Sequence, residues 1–164
     1  MLAALRLPRL ALREPGLVVR TLSTGLRVVD ESRVALPLGG SKVRNLEWLI
    51  GEACAGGGDV ITLGPAGGQH LLASGVYGKR AGLRVHAVAW PQPWSEAAER
   101  SLRALHAHAE VVWPAASRNR APFTLARVFA TVRLLAGYPP MIWPPGGSSP
   151  TGVLGWVQGG IEIA

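Results

Sequence analysis

This sequence predicts an α/β fold: a parallel sheet with flanking helices. Three observations carry that expectation. Short runs rich in Val, Ile and Leu alternate with segments whose apolar residues recur at helical spacing. The short run Asp59 to Leu63 is continuous rather than alternating, the pattern of a strand buried on both faces. Glycine-rich turns stand where strands give way to helices. The 164 residues suit one domain or a part of a larger one, and 48% hydrophobic content is enough to bury a core.

The elements follow in chain order. Met1 to Arg20 is rich in Leu and Arg, with Glu14 its acid. It contains Pro8 and Pro15, lacks serine and shows no amphipathic stripe, so residues 1–25 are expected to form an irregular N-terminal arm rather than a transit peptide. Leu26 to Val29 reads as a short strand, ended by Asp30-Glu31-Ser32. Gly39 and Gly40 make a loop. Ser41 is placed to cap a helix from about Lys42 to Ala55, with Leu46, Leu49 and Ile50 on one face and Gly56-Gly57-Gly58 as its stop. Asp59 to Leu63 is a buried strand leading into Gly64-Pro65-Ala66-Gly67-Gly68-Gln69-His70. A helix from about His70 to Arg80 and a strand from Leu83 to Trp90 complete one strand–loop–helix–strand unit. Ser95 caps a helix to about His108, followed by a strand from Glu110 to Trp113 and a helix from Pro122 to Ala136. Met141-Ile142-Trp143 is a further strand. It runs into Pro144-Pro145-Gly146-Gly147-Ser148-Ser149-Pro150-Thr151-Gly152 and a last helix starting near Thr151.

Composition narrows the function. Net charge is +7, but the arginines are scattered, and the densest group, Arg118-Asn119-Arg120, lacks interleaved aromatics. No nucleic-acid surface is expected, although a basic nucleic-acid-binding α/β module is the competing reading. Pro139, Pro140, Pro144 and Pro145 break the longest uncharged stretch, so no membrane partner is expected. Cys54 stands alone, which excludes an internal disulfide and a multi-cysteine zinc site and agrees with a cytoplasmic setting. His106 and His108 are two apart on a helix and face different ways, so no metal is expected.

Chemistry centres on Gly39-Gly40-Ser41-Lys42-Val43-Arg44-Asn45-Leu46-Glu47. Lysine occurs only as Lys42 and Lys79, and arginine supplies the other basic side chains. Lysine, unlike arginine, can give up a proton and attack a carbonyl carbon. Parallel α/β sheets place ligands at the carboxyl ends of their strands, where the loops 64–70 and 146–152 lie. Neither loop has the Gly-Lys-Ser/Thr of a phosphate loop or the spaced glycines of a dinucleotide fingerprint.

The lysine segment resembles the Gly-Gly-Asn-Lys-x-Arg-Lys-Leu-Glu motif of a pyridoxal-phosphate family. That family holds 1-aminocyclopropane-1-carboxylate deaminase and D-cysteine desulfhydrase, within the tryptophan-synthase-β-like fold. Asp30-Glu31 stands where the family has Asp-Asp. Asp59 to Gly64 is similar to the strand before its Ser-Asn-His loop, and Gly146 to Gly155 to its Gly-Gly-Ser-Asn-x-x-Gly-x-x-Gly segment. The resemblance covers residues 26–164 in collinear order and corresponds to the family's N-terminal half, with the C-terminal half absent. It implies pyridoxal 5'-phosphate as cofactor and Lys42 as the lysine that joins it and later moves protons at the substrate carbon. It implies a lyase or deaminase acting on a small amino acid. Ser41 and Gln69 would contact the cofactor. Gly67, Gly68, Gln69 and His70 would hold the substrate, the backbone amides on its carboxylate. Gly68 replaces the family serine, which turns the expectation away from a cyclopropane substrate. The family's phosphate loop and its partner for the ring nitrogen come from the half not represented here. Accordingly, a non-catalytic truncated remnant is the alternative, and a homo-oligomer or a complementing C-terminal fragment is the expected partner.

Overall fold

The structure, a computed structural model, describes residues 8–13, 18–33, 35 and 37–163. Two short strands, β1 (Val19–Thr21) and β2 (Arg27–Val29), form an antiparallel hairpin. Then come α1 (Lys42–Gly56), β3 (Asp59–Pro65), α2 (Gln69–Arg80), β4 (Arg84–Trp90), α3 (Glu96–His108), β5 (Val111–Pro114), α4 (Ala121–Ala136), β6 (Met141–Trp143) and α5 (Pro150–Ile163). The four later strands make one parallel sheet in the order β5-β4-β3-β6. The expected parallel α/β architecture is therefore present.

Local chemistry explains the boundaries. Gly57, at φ +117, adopts the left-handed conformation that ends α1. Ser95 caps α3, its hydroxyl accepting from Ala98 N–H at 3.1 Å. Ser149 does the same for α5, accepting from Gly152 N–H at 3.0 Å. The expected cap at Ser41 is corrected: Ser41 sits at the start of α1 in helical conformation, and its hydroxyl bonds no helix amide. A capping side chain needs an extended backbone to fold back, and Ser41 at φ −57 and ψ −21 lacks it. The arm is also more ordered than expected. Val19–Thr21 is a strand because it pairs with Arg27–Val29, a contact no local pattern announces.

The sheet has two unlike faces. Alternate residues Val60, Val85 and Trp143 point to α1 and α2, and Ala87 and Ala89 to α2 and α3. Ile61, Leu63 and Val88 point the other way, to α4. Ile142 of the edge strand β6, level with Ile61, remains 43% exposed.

Helices α1 and α5 meet backbone to backbone. A Cβ on Gly155 would lie 2.1 Å from the Arg44 carbonyl oxygen, and one on Gly152 2.1 Å from that of Gly147. Around this contact runs a chain of ion pairs. Glu47, wholly buried on α1, accepts from Arg9 Nη2 at 2.9 Å, Arg13 Nε at 3.1 Å, and the amides of Leu12 and Arg13 at 3.0 Å. Arg13 continues to Glu162 of α5 at 3.0 Å. Glu162 accepts from Arg44 at 2.9 Å, and Arg44 also holds Glu31. Three arginines thus neutralise three glutamates and tie the arm, α1 and α5 together. Removing a single partner would strand a buried charge.

Candidate active site

Strands β3 and β6 are neighbours, and each ends in a glycine-rich turn at its carboxyl end. The turn after β6 is shaped by consecutive left-handed residues, Gly146 and Gly147, both at φ +72. It rests on α1: a Cβ on Gly147 would lie 3.1 Å from Leu49 Cδ1 and 3.3 Å from Asn45 Cβ. Asn45 Nδ2 donates to the carbonyls of Gly146 at 3.3 Å and Gly147 at 3.4 Å. The first residue of α1 therefore faces this turn.

That residue is Lys42, half-buried. A methyl group on Gly146 would stand 3.8 Å from its Nζ and 3.6 Å from Ser148 Oγ. Those are ordinary van der Waals distances, so glycine is favoured here by its left-handed backbone at φ +72, which carries the turn past the amine. Among the described residues, the amine has no hydrogen-bond or ion-pair partner.

From the other side comes His70, on the first turn of α2 and 7% exposed. Burial, and secondarily the Lys42 charge, push its pKa down to about 4, so the ring is neutral at pH 7. Its Nε2 lies 3.2 Å from Thr62 Oγ1 of β3, while Nδ1 is buried without a partner. A neutral imidazole has one donor and one acceptor nitrogen. If Thr62 accepts from Nε2–H, Nδ1 carries a lone pair, which a nearby ammonium favours. The reverse tautomer would bury an unpaired N–H in the same positive field, so the first arrangement is the stable one.

The remaining predicted residues divide. Gln69 is exposed, and its Nε2 lies 3.5 Å from Ser101 Oγ, turned toward α3. The Gly68 amide is already engaged, donating to Pro65 O at 2.8 Å. The amides of Gln69 and His70, in the first turn of α2, have no intrahelical acceptor and remain suited to an anion. Gly67 serves packing: a Cβ there would meet Ala98 Cβ at 2.4 Å. At Gly68 a Cβ would fall 2.9 Å from Pro65 O and 3.0 Å from its Cγ, so no serine enters without a shift of the turn. The structure thus brings Lys42, His70 and the Gly146 turn together, and directs Gln69 elsewhere.

Sequence reasoning passed over Thr62 and Asn45. Thr62 carried a signal, as the one hydroxyl in the apolar run Val60-Ile61-Thr62-Leu63. Asn45 stands where the resembling motif has lysine, a departure whose consequence needed the fold.

No family model matches the chain. Similarity to individual proteins is clear. A protein of Pyrococcus horikoshii provisionally named 1-aminocyclopropane-1-carboxylate deaminase is 30% identical over 148 residues, which is 90% of this chain and 45% of that protein. Its counterpart in Pyrococcus abyssi is 27% identical over 147 residues, 89% of this chain and 44% of its own. A nocardicin C-9' epimerase of Nocardia uniformis is 41% identical over 66 residues, 40% of this chain and 20% of its own. A solved structure described as an ACC deaminase homologue superposes with a TM-score of 0.82 at 24% identity. It covers 97% of this chain and 51% of that one. The chain spans about half the length of the curated Pyrococcus relatives it matches.

Proposed function

This chain is a partial-length homologue of the 1-aminocyclopropane-1-carboxylate deaminase family, a pyridoxal-phosphate-dependent family of tryptophan-synthase-β-like fold, and from this we infer that it carries the lysine side of a pyridoxal-phosphate site acting on a small amino acid. The single observation that supports the reading is the Lys42 amine, which has no hydrogen-bond or ion-pair partner among the described residues and lies beside the Gly146 turn in the same field as a neutral, half-satisfied His70.

The residues present fit the aldehyde end of the cofactor. A primary amine free of ion pairs among the described residues is the group that end requires, and the orphaned Nδ1 of His70, a ring that feels the Lys42 charge, supplies an acceptor. Lys42 would hold the cofactor, which when bound withdraws electrons from the substrate carbon. The amides of Gln69 and His70 orient a substrate carboxylate at the positive end of α2. His70, kept neutral, accepts a hydrogen bond from a substrate N–H at Nδ1, and Thr62 holds that tautomer. Lys42 would also be the group that moves a proton at the substrate α-carbon.

The substrate class is a small amino acid with a leaving group on its β-carbon, such as cysteine, which with water would give the released group (sulfide), ammonia and a 2-oxo acid. The absence of a hydroxyl at Gly68, and of room for one beside Pro65, favours this over ring opening.

The two lysines make the test clean. Incubation with pyridoxal phosphate, borohydride reduction and peptide mass analysis should place the adduct on Lys42 and lose it in Lys42→Ala. Lys79 already donates to Ala107 O at 3.0 Å and should stay unmodified. Equal labelling of both lysines would end the assignment.

A further inference from the structure

A second concavity opens on the α3 side of the sheet, and Lys42 has no part in it. It lies at the carboxyl ends of β4 and β5 and encloses about 360 Å³. Small side chains make the room: Ala66 follows β3, Ala89 stands near the end of β4, and Ala115 follows β5. Larger groups stand around them. Trp90 and Pro91 close the end of β4, Pro114 the end of β5, and Leu102 of α3 lies half-buried beside Val112. Backbone hydrogen bonds fix this frame. The Ala66 N–H donates to Trp90 O at 2.9 Å, and the Ala115 N–H to Ala89 O at 2.8 Å. The walls are therefore set before a guest arrives, which lowers the cost of binding. All the described residues on them lie between positions 66 and 115, so the cavity is built by this stretch of chain itself.

The lining selects a guest by charge, shape and one polar group. Among the described residues, no Asp, Glu, Lys or Arg lines the cavity. A charged molecule entering it would lose hydration and gain no ion pair. Trp90, Pro91 and Pro114 are ring side chains, and the indole of Trp90 favours stacked or edge-on contact with a second aromatic ring. Sites for small molecules are mostly apolar, with a few polar groups that orient what enters. Here that group is the imidazole of His106, four residues after Leu102 on α3 and so on the same side of the helix. An imidazole nitrogen bearing a lone pair accepts a hydrogen bond from a hydroxyl. We propose that this cavity binds a neutral, single-ring aromatic alcohol, its ring among Trp90, Leu102 and Val112 and its hydroxyl donating to His106. The volume suits one ring with a short substituent, since it lies toward the small end of ligand sites. This inference rests on the cavity and not on the role of Lys42.

The test titrates phenol into the full chain carrying isotope-labelled methyl groups and follows them by NMR. Saturable shifts should appear at Leu102 and Val112, and none at the exposed Leu134 of α4 or Val153 of α5. Benzoate, the charged counterpart, should bind at least roughly tenfold more weakly than phenol. The ratio of phenol to toluene affinity should fall by about threefold or more in His106→Ala, because only phenol has a hydroxyl to lose its partner. Leu102→Trp, which fills the cavity, should weaken phenol at least roughly tenfold with an unchanged circular dichroism spectrum. Should that variant fail to fold, the methyl shifts of the unaltered chain and the His106→Ala ratio still decide. Shifts that do not saturate or that spread to Leu134 and Val153, benzoate binding as tightly as phenol, or a phenol-to-toluene ratio unmoved by His106→Ala would overturn the proposal. None of these results depends on pyridoxal phosphate, so failure here and failure of the lysine assignment are separable.

Discussion

His70 shows how position sets the chemistry of one side chain. An exposed histidine titrates near 6.5; this one is held at about 4 by burial first and by Lys42 second. Lys42→Ala should therefore raise its pKa only in part, leaving it well below 6.5, as read by NMR titration of the ring protons. A full return to 6.5 would show that burial contributes nothing. The depressed value also has a stability consequence. Below pH 6.5 the unfolded chain takes up the proton that the folded chain refuses, so stability falls from there to about pH 4 and then levels, by about 3 kcal/mol in all. Thr62 is the companion residue. Replacing it by valine strands the Nε2 hydrogen and should cost roughly 1–3 kcal/mol in urea unfolding.

Helix α5 carries two kinds of glycine, and they answer oppositely to the same change. Gly155→Ala drives a methyl into the Arg44 carbonyl and should destabilise by roughly 2–4 kcal/mol, because α1 and α5 must separate. Gly160→Ala meets no atom and should stabilise by about 0.5–1 kcal/mol through helix propensity alone. Paired urea titrations of the two variants check both signs. Helix α1 divides its motif in a similar way. Lys42 faces the site, Asn45 holds the turn after β6, Leu46 enters the core, and Arg44 and Glu47 are structural ions. Most of the segment that resembles a catalytic signature thus serves to fix the single amine at its head.

The network from Glu47 to Glu31 spans the chain from the arm to α5 and makes its stability sensitive to acid. Hydrogen bonds from Arg13 hold Glu162 at about 2, below its ordinary 4.5, despite the opposing effect of burial. Arg84 does the same for Asp59, also at about 2. Carboxylates with depressed values stabilise the fold above their unfolded pKa and lose that contribution as pH falls through the folded one. Stability should begin to fall near pH 6.5 with His70 and fall further from about 4.5 toward 2, where the unfolded chain protonates these two carboxylates before the folded chain does. Arg13→Met removes the residue shared by Glu47 and Glu162 and should cost about 3–5 kcal/mol at pH 7. Much of this architecture was readable beforehand. Strand runs, glycine stops and the Ser95 cap depend on near neighbours in the chain, and they located β3, β4, β6, α3 and α4 to within a residue or two. Lys42 stood out because its chemistry is rare in an arginine-based chain. The rest depends on residues far apart in sequence: the β1–β2 pairing, the 149-residue step from Arg13 to Glu162, the Thr62–His70 contact, and the turning of Gln69 toward Ser101. Local propensity and motif order are properties of adjacent side chains and survive in a one-dimensional string. Burial, tautomer and ion pairing are properties of whatever the folded chain brings near, and only packing decides them.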